Sequence, residues 1–290
     1  MAHSNTIVPH DQRPAIQPRL FSLPKPTALP RFWMDNDPYG TYFLDALSCI
    51  FPGGERFFVK SVLDFQNQVT DLRLKREARA FCGQEAVHGQ QHEAFNEWSA
   101  DFGLGLAEMT RKEEAHMLRA LSKLPKIKRL AVTAALEHMT AIMGNALLNS
   151  PTVMEKMHPD VRALWVWHSI EEIEHKAVAH EVYYAVGGTH WGRYIAMFFA
   201  FNGLMSRAFL LTAILAWREG QLFNFRSMKR FMGTLVGSGY AGRVWTGLKE
   251  YFSADFHPWQ IDDRTLLAEF LPQVMGYVPV RSQPAVDTAV

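Results

Sequence analysis

Cysteine is nearly missing from this sequence: Cys49 and Cys82 are the only two in 290 residues. They form no CxxC pair and cannot build a disulfide framework, and a reducing compartment fits them. An excess of one charge is also lacking. Lys+Arg 30 against Asp+Glu 29 leaves +1, with no electrostatic footprint for nucleic acid. The opening MAHSNTIVPHDQRP has no apolar run, so no secretory signal is read there, and the expected location is the cytoplasm. Alternating strand patterns and repeats of solenoid period are missing. So are a Ser-His-Asp arrangement, a phosphate-binding glycine loop and a dinucleotide fingerprint. What is present is ordinary for a soluble globular chain, with 48% hydrophobic and 20% charged residues.

Proline marks the first boundary. Pro9, Pro14, Pro18, Pro24, Pro26, Pro30 and Pro38 preclude a regular helix over 1–38, which reads as an extended arm. Residues 39–277 read as a single helical metal-binding domain and 278–290 as a loose tail. Helices are expected over 39–50 and 55–68, separated by Phe51-Pro52-Gly53-Gly54. Thr70 or Asp71 caps the next, which reaches Trp98 and ends before Asp101-Phe102-Gly103. Further helices are expected over 107–122 and 126–149, and from His158-Pro159-Asp160 to Gly187-Gly188. Shorter amphipathic helices follow over 224–273. The fold class is all-α, a ferritin-like four-helix bundle with additional N- and C-terminal helices. The most apolar stretch, 194–217, is long enough to span a bilayer, but Arg207 and Asn202 interrupt it. It reads as a buried core helix or helix pair. An apolar substrate tunnel or a membrane-facing surface, with the protein peripheral to the membrane, is the alternative.

Histidine and glutamate carry the functional signal. Glu85-x-x-His88 places a carboxylate and an imidazole on one helix face, and His92 continues that face. Glu172-x-x-His175 repeats the arrangement, with His168 one turn earlier on the same stripe. Two carboxylates in other apolar helices complete the set: Glu55 before the first pair and Glu137 before the second. The order is a half-site followed by the same half-site again, the pattern of di-iron carboxylate bundles. Burying an ionised carboxylate in an apolar helix is costly unless it is paired or binds metal. Carboxylates can bridge and neutralise two cations, and iron and manganese accept mixed carboxylate and imidazole ligands. Ala134, Ala141 and Gly144 leave room near Glu137. Other residues fit plainer roles. His116 sits among surface charges. His138 points about 100° away from Glu137 and is either packed or a support for a ligand. His92 is a ligand or a support, and Glu171 and Glu174 are supports or surface charges.

At these residues the chain resembles a bacterial family described as predicted metal-dependent hydrolases. The resemblance rests on PRFWMDNDPYGTYFLDALSCIFPGGERFF, FCGQEAVHGQQHEAFN, WVWHSIEEIEHKAVAHEVYYAVGG and YFSADFHPWQ. The site is also similar to ferritin-like di-iron proteins, and to di-iron N-oxygenases of arylamines in the H-x-x-x-E-x-x-H spacing of His168, Glu172 and His175. Three functions are therefore weighed. The first is oxygen activation at two iron ions, with manganese or a mixed pair as substitutes, on a partly apolar small molecule. Its partners would be O2 and an electron-donor protein. The second is hydrolysis at a binuclear centre, where zinc would serve. Metal storage or a structural metal site is the third. A homodimer is compatible with the sequence.

Overall fold

The computed structural model describes residues 6–21, 29–98 and 102–277. The expected loose tail, 278–290, lies outside the described residues, as do Pro24, Pro26 and Asp101. Among the described residues the regular secondary structure is all helical, apart from one isolated bridge between Met34 and Met157. Its helices are α1 (Pro38–Leu63), α2 (Leu72–Trp98), α3 (Leu106–Leu121), α4 (Lys126–Leu148), α5 (Pro151–Glu155) and α6 (Pro159–His175). They continue as α7 (Val178–Ala185), α8 (His190–Arg218), α9 (Phe225–Gly237), α10 (Tyr240–Glu250) and α11 (Arg264–Val274). The all-α class is thus what the structure has. Four of the helices, α1, α2, α4 and α6, pack in pairs around one interior: α1 on α2 and α4, α6 on α4 and α2.

Local chemistry starts these helices where the sequence suggests. The Asp37 side chain accepts from the backbone N–H groups of Tyr39 and Gly40, with Pro38 at the first helical position. Asp71 accepts from the N–H of Arg73 at 2.8 Å and so caps α2.

The expected break at Phe51-Pro52-Gly53-Gly54 does not occur; α1 runs through it. Proline has no N–H to give the carbonyl one turn back, which belongs to Ser48. The Asn96 amide of α2 donates to that carbonyl at 2.9 Å, so the missing bond is replaced by a side chain. Gly53 is explained by packing: a Cβ there would stand 2.9 Å from the Cα of Glu114 on α3. In the other direction, the helix expected to run to Gly187 is divided at Lys176-Ala177 into α6 and α7.

The described part of the N-terminal arm lies on the body. The Val8 N–H donates to the Trp259 carbonyl at 2.9 Å, and Phe21 stacks on Trp167 at 4.5 Å.

The apolar stretch over 194–217 lies within α8, and its expected burial needs correcting. One face packs along α1 and α4 through Ala196, Ala200, Leu204, Ala208, Leu211 and Leu215. The opposite face, with Phe198, Phe199, Phe209 and Leu210, is exposed. Only 28% of its most apolar window is buried, and Phe198, Phe199 and Phe209 do not build the core.

Candidate metal centre

The seven residues singled out by spacing meet in one buried cluster. Glu55 comes from α1, Glu85 and His88 from α2, Glu137 from α4, and His168, Glu172 and His175 from α6. None is more than 5% exposed. Their potential ligand atoms fall into three sets, each within 4.8 Å: Glu55, His88 and His168; Glu85, Glu137 and His175; and Glu85, His88 and Glu172. The third set shares Glu85 and His88 with the other two, so the donors describe two adjoining foci.

The donor atoms are short of partners. Among the described residues, both oxygens of Glu55, Glu85 and Glu137 are buried without a hydrogen bond, as are Nδ1 of His88 and Nε2 of His168 and His175. These nitrogens face carboxylates instead. Nε2 of His175 lies 3.1 Å from Glu85 and 3.2 Å from Glu137, and Nε2 of His168 lies 3.1 Å from Glu172. Nδ1 of His88 lies 3.4 Å from Glu172. Buried carboxylates and imidazoles left bare at a common point fit cations, which would satisfy them all.

Hydrogen bonds around the cluster set the tautomers. The Asn96 amide donates to the Ser48 carbonyl and to Thr110, so its oxygen accepts the Ser48 hydroxyl proton at 2.8 Å. With that proton committed, Nδ1 of His92 must donate to Ser48 at 2.9 Å. Nε2 of His92 then accepts from Nδ1 of His168 at 2.9 Å, which leaves Nε2 of His168 with its lone pair toward the cluster. His175 is fixed likewise. The Gln84 amide donates to Gln17 and Glu174, so its oxygen accepts from Nδ1 of His175 at 2.9 Å. His88 turns its Nε2 to Glu171 at 3.2 Å. Each imidazole is thereby oriented by an outer partner, as ligands to metals are.

These partners are held in turn. Arg19 grips Glu174 through two bonds of 2.7 Å and reaches Glu171 at 3.2 Å, where the Trp167 indole N–H also donates. The Thr140 hydroxyl donates to Glu172. Phe51 stacks on His168 at 5.0 Å.

Among the protein's own charges, the cluster is strained. Burial, reinforced by Glu85, pushes Glu55 and Glu137 well above the usual carboxylate range. Burial acts the same way on Glu172, but His175, with His168 and His88 also facing it, holds it well below that range. Burial opposes charge on His88 and His175, yet the surrounding glutamates lift both well above the ordinary imidazole value. His92 and His168 are lowered, first by burial. Protons therefore take up part of the charge that cations would supply, and metal would compete with them.

The structure also places the residues whose roles spacing left open. His92 supports His168, and Glu171 supports His88. His138 faces away, donating to the Gly247 carbonyl at 2.9 Å and stacking on Tyr251, so it packs α4 against α10. Glu174 is a buried partner of Arg19 and not a surface charge. Sequence reasoning missed Ser48, Gln84, Asn96, Thr140 and Arg19. Only Gln84, next to Glu85, carried any signal; Arg19 sits in the proline-rich arm, which has no periodicity to place it.

A cavity of about 770 Å³ opens beside the cluster, between α3, α4 and α8. A narrow space of about 30 Å³ touches Glu55, His168 and Glu172 and shares Ile50, Met117, Leu136 and Leu204 with that cavity. These four apolar side chains lie between the large cavity and the cluster.

No curated protein and no solved structure gives a significant match to this chain. A family profile does match, over residues 17–262, a span that takes in Arg19 and all seven clustered donors. The chain belongs to the family described as predicted metal-dependent hydrolases.

Proposed function

We propose that this protein is a dinuclear metal-dependent hydrolase acting on a small, largely apolar molecule. The observation that carries the metal part is the convergence of seven buried donors whose site-facing atoms are mostly without hydrogen bonds. Glu55, His88 and His168 would hold one cation, and Glu137, Glu85 and His175 the other, with Glu172 beside both. When bound, such cations supply Lewis acidity and lower the pKa of water. The chain's residues do the rest. Ser48, His92, Gln84 and Glu171 keep three imidazoles in the tautomers that can ligate. The Thr140 hydroxyl restrains Glu172. The apolar side chains of Ile50, Leu136 and Leu204 would exclude bulk water from the cluster, and the adjoining apolar cavity would take an aliphatic or aromatic substrate.

Hydrolysis is favoured over the alternatives by the family to which the chain belongs. A second reading, oxygen activation at two iron ions, is favoured by one feature. His168 adds a third nitrogen donor, in the H-x-x-x-E-x-x-H spacing that resembles the di-iron N-oxygenases. It would need O2 and an electron donor.

The test loads the metal-free protein with zinc, manganese or ferrous iron. Each form is assayed against esters and amides of apolar acids, and for oxygen uptake. Hydrolysis by the zinc or manganese form is the expected result. A zinc form without activity, beside a ferrous form that consumes oxygen, would replace this function with the second reading.

A further inference from the structure

The exposed face of α8 is apolar toward both ends of the helix, interrupted near its middle by Asn202 and Ser206. Trp191, Ile195, Phe198, Phe209 and Trp217 recur at helical spacing, so they share one face. Trp191 is 75% exposed, Phe198 61% and Trp217 69%. At 1.5 Å per residue the stripe from Trp191 to Trp217 is about 39 Å long. The neighbouring α9 continues it. Phe225, Met228, Met232 and Val236 are all exposed and fall within about 80° of its circumference, beside exposed Arg226 and Lys229. Phe43 of α1 touches both Phe209 of α8 and Phe231 of α9, at 6.0 and 5.5 Å, which sets the two helices side by side. A patch of this extent needs an occupant.

Charge selects the occupant. From Val182 to Lys249 the chain has eight Lys and Arg residues and a single acid, Glu219, although the whole chain is nearly neutral. Arg207 is paired with Glu113 and Arg230 with Asp37, Arg193 is buried and Arg218 donates to the Leu104 carbonyl, but Arg226, Lys229 and Lys249 reach solvent. A second copy docking through the same face would set these like charges against each other. A bilayer leaflet with anionic headgroups would attract them while its acyl region accepts the phenylalanines. Tryptophan at both ends of the stripe suits the headgroup level. An apolar face flanked by Lys and Arg is the pattern of helices that lie in the membrane interface.

We propose that the exposed face of α8 and α9 docks the protein flat on an anionic lipid bilayer. The protein does not cross it: α8 is held along its length by α1 and α4, and buried Arg193 donates to the Ser253 carbonyl of the body. Ile195 and Phe199 also line the mouth of the large cavity, so docking sets that mouth at the lipid surface. Delivery of a membrane-dissolved substrate follows only if the proposed function holds; docking itself does not depend on it.

The experiment is flotation of the metal-loaded protein with vesicles of phosphatidylcholine, with and without one-third phosphatidylglycerol, at low and high salt. Co-flotation with the anionic vesicles, weakened by salt, is expected. Phe198→Glu and Trp217→Glu should each lower partitioning about tenfold or more, and Lys229→Glu should lower it on anionic vesicles. Neither Phe198 nor Trp217 contributes to the metal cluster, so metal content, helicity and thermal midpoint should stay unchanged. Absence of co-flotation with either vesicle would overturn the proposal, as would full binding by Phe198→Glu. A soluble dimer that Phe198→Glu converts to monomer would assign the face to a second copy instead.

Discussion

Glu137→Gln separates a metal ligand from a structural residue, because its effect should differ between the metal-free and loaded protein. Glu137 is 1% exposed, and neither of its oxygens has a hydrogen bond. Burial and Glu85 push its carboxyl well above the usual range, which favours its neutral form when metal is removed. Glutamine is neutral and almost the same shape. The metal-free variant should therefore unfold within about 1 kcal/mol of the native protein. Loading changes the sign of the argument. With free metal about 100 times its Kd, mass action stabilises by roughly 2.7 kcal/mol per site. Each kcal/mol moves the midpoint of a chain of this size by about 2 °C, so the native protein should gain about 5 °C per occupied site. If losing the ligand weakens that site about 100-fold, the remaining gain there is only roughly 0.4 kcal/mol. The assay is a pair of calorimetric melts for each protein, with binding stoichiometry measured independently. A variant stabilised by metal as much as the native protein would refute the assignment. So would a metal-free variant that loses several kcal/mol, since that would make Glu137 structural.

Two further predictions use groups outside the cluster. Asp45 is buried, accepts from the Trp33 indole, and is pushed up to about 7 by burial. Its folded pKa lies above its unfolded one, so the folded state binds the extra proton between about pH 4 and pH 7, and stability should fall as pH rises through that window. The full effect is on the order of 4 kcal/mol, so Asp45→Asn should flatten the melt profile over this range and stabilise the protein at pH 8; an unchanged profile would sink the idea. Arg19→Met leaves Glu174 and Glu171 without their guanidinium partner. It should cost roughly 3 kcal/mol in melts and weaken metal binding by at least about tenfold, and titration calorimetry giving native affinity would remove Arg19 from the support of the site.

How much of this was legible in the sequence follows from the range of each signal. Periodicity within one helix is local, so spacing alone sets Glu85 with His88, and His168 with Glu172 and His175, on shared faces. An isolated carboxylate in an apolar run also marks itself, because burial without a partner is costly; that singled out Glu55 and Glu137. The all-α class followed from the same periodicity. Proline and glycine, read locally, misled at Phe51-Pro52-Gly53-Gly54: the rule that proline breaks a helix assumes that the freed carbonyl finds no donor, and Asn96 supplies one from another helix. Hydropathy likewise registers that α8 is apolar but not which neighbour covers it, so only packing decided that one face lies on α1 and α4 and the other stays open. The supports of the site are entirely tertiary. Ser48 meets His92 across 44 positions and Arg19 meets Glu174 across 155, and a hydrogen bond between such distant residues leaves no mark on the spacing of either. The sequence by itself determined which residues could bind metal, because ligand chemistry and helical repeat are properties of residues and their near neighbours. The tertiary structure alone decided which nitrogen of each imidazole faces the cluster, what holds it there, and where the open apolar surface lies.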